Sequence, residues 1–356
     1  MPGRATASPL RAAMREILTM EAVPGTIVAI RVAGQPPYGA ALGWRDPHAA
    51  ASLALDDRFY VYSISKTLLA ATTLRLASAG KLALDAPIAD YLPEVTLPAP
   101  VTIRQLLGHT AGLPDYGGVP EYAAAVRATP ETPWTAAEFL ARTLPRGLLF
   151  PPGTGWAYSN IGFLLIRQLL ERVTGEPLDI LLHRALFAPL GLQQTAVAAT
   201  LADAASLTPG WSTFLDPAGD LADVTPRYHP GWVSHGVVTA TAPELAQLVE
   251  AIITGPLLSA DDRATLLTPT ILPFAHPQFR QPAYGLGVML DPGSPHGLIA
   301  GHAGGGPGHS AAAFHFAALG GQPTTIVALA NRDRDDVALR IVFAVADLIA
   351  GATGNS

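Results

Sequence analysis

RFYVYSISKTLLAATTLRLASAG, residues 58–80, is the stretch from which the rest of the chain can be read. Arg58 to Tyr62 is short, aromatic and strand-like, and it runs straight into Ser63-Ile64-Ser65-Lys66. From Thr67 to Ala79 the composition is helical, and Gly80 stops the helix. A strand therefore passes into a helix start at Ser63. Residues three apart on a helix share a face, so the Ser63 hydroxyl and the Lys66 amine should be neighbours. A serine hydroxyl is a poor nucleophile until a base takes its proton. A lysine can be that base when burial or nearby positive charge lowers its pKa. The helix N-terminus adds backbone N–H groups and positive dipole where an oxyanion would form. The plain alternative is an N-cap serine with a surface lysine, because Ser-x-x-Lys is common by chance.

Upstream, Leu10, Met14, Ile17 and Leu18 have helical spacing, and residues 26–32 are β-branched and strand-like. A turn at 34–37 leads to a second strand over 38–44, predicting a hairpin. Downstream, helices are predicted at 135–143, 161–174, 177–187 and 243–254. After about residue 280, strands are predicted at 284–290, 298–302, 311–317 and 324–329, then a helix over 338–350. The expected fold is mixed α/β, an antiparallel sheet flanked by the terminal helices. Residues 1–62 and 281–356 would build that sheet domain, and 63–280 an inserted, mainly helical domain. A site would lie in the cleft between them.

Composition narrows the function. Of 356 residues, 49% are hydrophobic and 14% charged, which excludes a disordered chain. The net charge of −6 is spread without blocks, and the lack of a basic patch argues against nucleic acid as a partner. No cysteine is present, excluding disulfides, thiolate zinc sites and a cysteine nucleophile. The first 25 residues carry Arg4, Arg11, Arg15, Glu16 and Glu21 and lack the apolar core of a signal peptide. No run of about 18 apolar residues occurs, so no membrane span is expected. The expectation is a soluble, cytoplasmic protein, or a periplasmic or secreted one if a leader preceded residue 1.

Two further segments carry candidate chemistry. FPPGTGWAYSN, residues 150–160, places Tyr158 and Asn160 after a Pro/Gly-rich loop and before a helix. A tyrosine beside two positive groups can lose its proton near neutral pH and act as a base. The alternative is a packed tyrosine with Asn160 as the helix N-cap. GHAGGGPG, residues 301–308, follows a strand and would let a ligand approach its backbone closely, or would form a plain hairpin turn.

Taken together, these segments resemble the serine β-lactamase and penicillin-binding-protein superfamily. The similarity is to the class C-like branch of esterases, D-aminopeptidases and D-alanyl-D-alanine carboxypeptidases. That family carries Ser-x-x-Lys, Tyr-x-Asn and Lys-Thr-Gly or His-x-Gly in this chain order. KLALDAPI (81–88), LLGHTAGLP (106–114), APLGL (188–192) and YGLG (284–287) add to the likeness, which covers roughly residues 20 to 335. The resemblance implies that Ser63 is the acylated nucleophile. Lys66 would accept its proton or lower the pKa of Tyr158. Tyr158 would pass a proton to the leaving group and later activate water. Asn160 would hold the acyl side of the substrate and contact Lys66. The backbone N–H groups of Ser63 and Gly305 would form the oxyanion hole.

His302-Ala303-Gly304 departs from Lys-Thr-Gly, lacking the groups that help bind substrate carboxylates. Members with His-x-Gly are more often esterases or aminopeptidases. The resemblance therefore implies a carboxylesterase-like hydrolase acting on small ester or amide substrates, with no cofactor and no metal. A D-amino-acid peptidase or amidase and an acyltransferase are the alternatives, followed by a β-lactamase and an inactive binding domain. Trp156, Tyr228, Trp232, His235 and His302 are candidates for the substrate pocket, with core packing as the rival reading. His109 is expected to be structural, and His302, His309 and His315 lack the clustered carboxylate a metal site would need.

Overall fold

The β-branched run at β1 (Gly25–Val32) forms an interior strand of a nine-stranded antiparallel sheet in this computed structural model, which describes residues 4–216, 218–334 and 336–353. Its other strands are β2 (Tyr38–Asp46), β3 (Ala51–Ser52), β4 (Thr270–Ile271), β5 (Ala283–Tyr284), β6 (Met289–Asp291), β7 (Ile299–Gly306), β8 (His309–Leu319) and β9 (Gln322–Ala330). Their order across the sheet is β3-β2-β1-β9-β8-β7-β6-β5-β4. The mixed α/β architecture with both chain ends in one antiparallel sheet is the one expected, and β1 and β2 pair as the predicted hairpin.

Period-two alternation gives the central strands two apolar faces. Val28, Ile30, Ala312, Phe314, Ile326 and Ala328 meet the terminal helices α1 (Arg4–Met20) and α5 (Val337–Thr353). Ile27, Ala29, Ala311, Ala313, Val327 and Leu329 face the other way, into a second and larger core. That core holds α2 (Ser65–Ser78), α3 (Asn160–Thr174) and α4 (Ala242–Ile253).

Several expectations change in detail. The sheet draws on more of the chain than its two ends: β4 comes from residues 270–271, and α4 packs directly on β1, β8 and β9. Conversely, the strand Phe59–Tyr60 leaves the large sheet and pairs with Val237–Ala240 in a three-stranded sheet. The single strand predicted at 284–290 is a hairpin, β5 and β6, whose turn includes Gly287 at φ +68°. There Thr67 Oγ1 donates to the Gly287 carbonyl at 2.7 Å, and a Cβ at 287 would meet the Lys66 carbonyl oxygen at 2.7 Å. The predicted helix over 177–187 is a helix Leu178–Leu182 that widens into a π turn, His183–Phe187.

Candidate active site

Ser63 sits on a 3₁₀ turn, Tyr62–Ile64, that leads directly into α2. Tyr62 is left-handed (φ +46°), a conformation that costs a bulky residue about 1–3 kcal/mol and persists only where the surroundings impose it. The surroundings here are explicit. Tyr62 Oη donates to the Pro307 carbonyl at 2.6 Å. Val61 N–H donates to the Val238 carbonyl at 2.9 Å, and Ser65 Oγ accepts from Val238 N–H at 3.0 Å. The turn is thus pinned by β7 and its following turn on one side and by the three-stranded sheet on the other.

The glycines of β7 make that contact possible. A Cβ at Gly304 would lie 2.2 Å from the Val61 carbonyl oxygen and 2.9 Å from the Ser63 nitrogen, and one at Gly306 would strike the Tyr62 ring. Gly305 between them is exposed, with open space at its Cβ position. Strand β6 stops pairing with β7 at Gly301, so Gly305 lies beyond the reach of that partner. The glycine-rich segment is strand as far as Gly306, not a loop.

Lys66 is fully buried, and its amine is held at three points. Nζ lies 3.1 Å from Ser63 Oγ, 2.7 Å from Asn160 Oδ1 and 3.3 Å from His235 Nε2. It also sits 4.8 Å from the centre of the Tyr158 ring. Loss of hydration on burial lowers its pKa from 10.5 to about 7, against a smaller upward pull from Asp115. The surface-lysine alternative is thereby excluded.

Asp115, which the sequence did not single out, orients Asn160. Its carboxylate accepts from Asn160 N–H at 2.7 Å and from Nδ2 at 3.3 Å. With the amide nitrogen so engaged, Oδ1 must be the atom that faces Lys66. The N-cap of α3 is Ser159, whose Oγ accepts from Gly162 N–H, and Asn160 is the first helical residue. The shift frees the Asn160 side chain from capping.

Tyr158 lies in the same cluster and interacts with the Ser63 side chain. Burial pushes its phenol up from the ordinary value, outweighing the effect of Ser63, so the phenol of the resting site is protonated. Of the two bases the sequence leaves open, Lys66 is the one whose pKa lies near neutrality. His109 (φ +58°) packs at a tilt against Tyr158, ring centres 4.3 Å apart, and its Nδ1 accepts from Ser159 N–H at 3.2 Å. It is buried, and desolvation lowers its pKa well below the ordinary value.

The remaining pocket candidates separate. Trp156 is half-buried, ring to ring with Phe274 (5.8 Å) and Tyr284 (5.7 Å), and stays near Tyr158. Tyr228 borders a cavity of about 600 Å³ beside Gly305, together with Tyr122, Phe214, Asp333 and Arg334. Trp232 does not line a pocket. It is fully buried among Tyr122, Trp134 and Phe139, with Nε1 donating to the Pro130 carbonyl. His235 is likewise interior, behind Lys66. Both His302 nitrogens are engaged by the protein, one with the Tyr284 hydroxyl and the other with the Ala303 carbonyl, leaving none for a substrate. Burial lowers its pKa to about 3, so it is neutral. His309 bonds Tyr60 N–H and the Thr208 carbonyl, and His315 bonds Thr325.

A family model described as Beta-lactamase matches residues 10–349. The chain belongs to the Beta-lactamase family. Among curated relatives of this β-lactamase-family chain, Esterase EstB of Burkholderia gladioli is 31% identical over 199 residues, 52% of this chain and 50% of that protein. Penicillin-binding protein 4* of Bacillus subtilis (strain 168) is 24% identical over 87% of this chain and 68% of that one. The match to EstB thus spans about half the length of that relative. Among solved structures, a D-stereospecific amidohydrolase from Streptomyces sp. superimposes with a TM-score of 0.78 at 26% identity, covering 94% of this chain and 98% of the other. The β-lactamase-like fold and the family resemblance read from the sequence agree with these matches. No helix among the described residues is long and apolar enough to cross a membrane.

Proposed function

We propose that the chain is a serine hydrolase that forms an acyl-enzyme at Ser63 and acts on small ester substrates. The observation that carries the reading is the buried Lys66 amine, poised near pH 7, within 3.1 Å of the Ser63 hydroxyl. Ser63 Oγ attacks the carbonyl carbon while its proton passes to the neutral Lys66 amine. The carbonyl oxygen becomes an oxyanion facing the backbone N–H groups of Ser63 and Gly305. Tyr158 gives its phenolic proton to the leaving alkoxide as the carbonyl–oxygen bond breaks, and is reprotonated by the Lys66 ammonium. Water then attacks the acyl-enzyme, its proton following the same relay to Ser63 Oγ as the acid leaves. Asn160 acts on Lys66 and, at its other edge, on the acyl side of the substrate.

The preference for esters rests on position 302, a neutral, fully engaged histidine, and on the name of the relative EstB. A second reading, hydrolysis of D-aminoacyl amides, is favoured by the whole-length likeness to the Streptomyces amidohydrolase. A panel of p-nitrophenyl esters, D-aminoacyl anilides and a chromogenic cephalosporin separates them. Neutral short-chain esters are expected to have the highest kcat/KM. A wild-type protein that prefers the cephalosporin overturns the ester reading, and one that prefers the anilides replaces it with the second.

A further inference from the structure

His235 has a role that neither the family motifs nor the pocket reading gives it. It sits two residues before the strand Val237–Ala240, whose Val238 holds both Val61 and Ser65 beside the nucleophile. The imidazole is 1% exposed and reaches no open cleft. Its Nε2 points at the Lys66 amine from 3.3 Å, and its Nδ1 has no protein partner.

A neutral amine has two N–H donors and one lone pair. Proton abstraction from Ser63 requires the lone pair to face Oγ, so both N–H groups need acceptors elsewhere. Asn160 Oδ1, fixed by Asp115, is one acceptor at 2.7 Å. We infer that His235 is the second: a positioning residue whose Nε2 accepts the other Lys66 N–H and so turns the amine lone pair toward Ser63. The inference rests on the serine-hydrolase reading of Ser63 and Lys66.

The groups around the imidazole suit a neutral acceptor. Burial above all, and then the nearby amine of Lys66 and guanidinium of Arg167, disfavour a second proton on the ring, while His302 and His109 beside it are neutral. The Phe163 ring closes another side at 6.4 Å. With no partner at Nδ1, the tautomer follows the near side, where Nδ1–H leaves Nε2 free to accept. The same tautomer serves the ammonium that forms after proton transfer, since that ion still donates toward Nε2. No rearrangement behind Lys66 is then needed during acylation.

The test reads Ser63 activation directly, as the rate of labelling by a fluorophosphonate probe, followed by intact mass. His235→Leu removes the acceptor while keeping an apolar volume, and should slow labelling about ten- to a hundred-fold, the loss of one hydrogen bond to a charged group. His235→Gln carries an acceptor near the Nε2 position and should recover most of the rate. His235→Asn is polar but too short to reach Lys66, so it should label as slowly as the leucine variant; it replaces that variant if leucine prevents folding. In steady state on an ester, kcat should fall with KM little changed. Equal labelling of His235→Leu or His235→Asn and wild type overturns the inference. So does equal slowing in glutamine and asparagine variants, which would mark a purely structural histidine. A wild-type protein left unlabelled at Ser63 defeats the serine-hydrolase reading itself, and the inference with it.

Discussion

Two neighbouring regions of this molecule are built on opposite terms. Around Lys66 every approach is occupied: Ser63, Asn160, His235 and the Tyr158 ring surround a fully buried amine, and Asp115 and His109 brace its partners. Beside Gly305 the cavity is open, and its wall mixes tyrosines with the charged Asp333, Arg334 and Asp336. Enclosure lowers the Lys66 pKa and fixes directions, which bond-making needs. Arg334 and Asp336 are exposed and hydrated there, so each acts weakly on what binds. On the reading proposed above, reactivity belongs to the first region and discrimination among acyl groups to the second.

The strongest way to break that contrast is to remove the enclosed groups. Lys66→Ala and Tyr158→Phe should each lower ester turnover by about 10²–10⁴-fold without loss of fold. Combined, they should cost little more than the worse of the two, because one proton path is already cut. Stopped-flow acylation rates for both singles and the double variant decide this, and a double loss equal to the product would separate the two residues.

A smaller effect follows from acid. Lys66 must be neutral to accept a proton, so kcat/KM should fall about ten-fold per unit as pH drops below about 7, and level off above it. The linkage to stability has its own sign. Between about 7 and 10.5 the unfolded chain binds the Lys66 proton that the folded one releases, so folded stability rises with pH across that window. Lys66→Met should accordingly raise the melting temperature more at about pH 6 than at about pH 10. A pH–rate profile without an acid limb would remove Lys66 as the base.

The mildest change belongs to the open cavity. Arg334→Ala should lower kcat/KM for esters with an acidic acyl chain by no more than about five-fold, and leave neutral esters unchanged. An equal loss on both would place Arg334 in the enclosed machinery and blur the division drawn above.

Much of the enclosed region could be read beforehand because its signals are local. Ser63 and Lys66 are three residues apart at a helix start, and Tyr158 and Asn160 share one loop-to-helix entry. What stayed hidden depends on distant segments. Asp115 reaches Asn160 across 45 positions and His235 reaches Lys66 across 169, and no periodicity carries such contacts. The same holds for Trp232, whose fate in the core was set by Tyr122, Trp134 and Phe139. The apolar residues of 284–290 look like one strand, and only the left-handed backbone of Gly287, fitted against α2, marks the hairpin. Phe59–Tyr60 looks like any edge of the large sheet, and only its pairing with Val237–Ala240 assigns it elsewhere.

The left-handed Tyr62 carries a last consequence. It is held in place from two directions, through its hydroxyl and close packing by Pro307 and Gly304 at the end of β7, and through its neighbours Val61 and Ser65 by Val238 on the small sheet. Neither sheet alone supplies both anchors. Any breathing motion that parts the two sheets would let Tyr62 relax to an ordinary conformation and carry Ser63 with it. Catalytic competence would then serve as a gauge of that docking, fading on heating before either layer had melted.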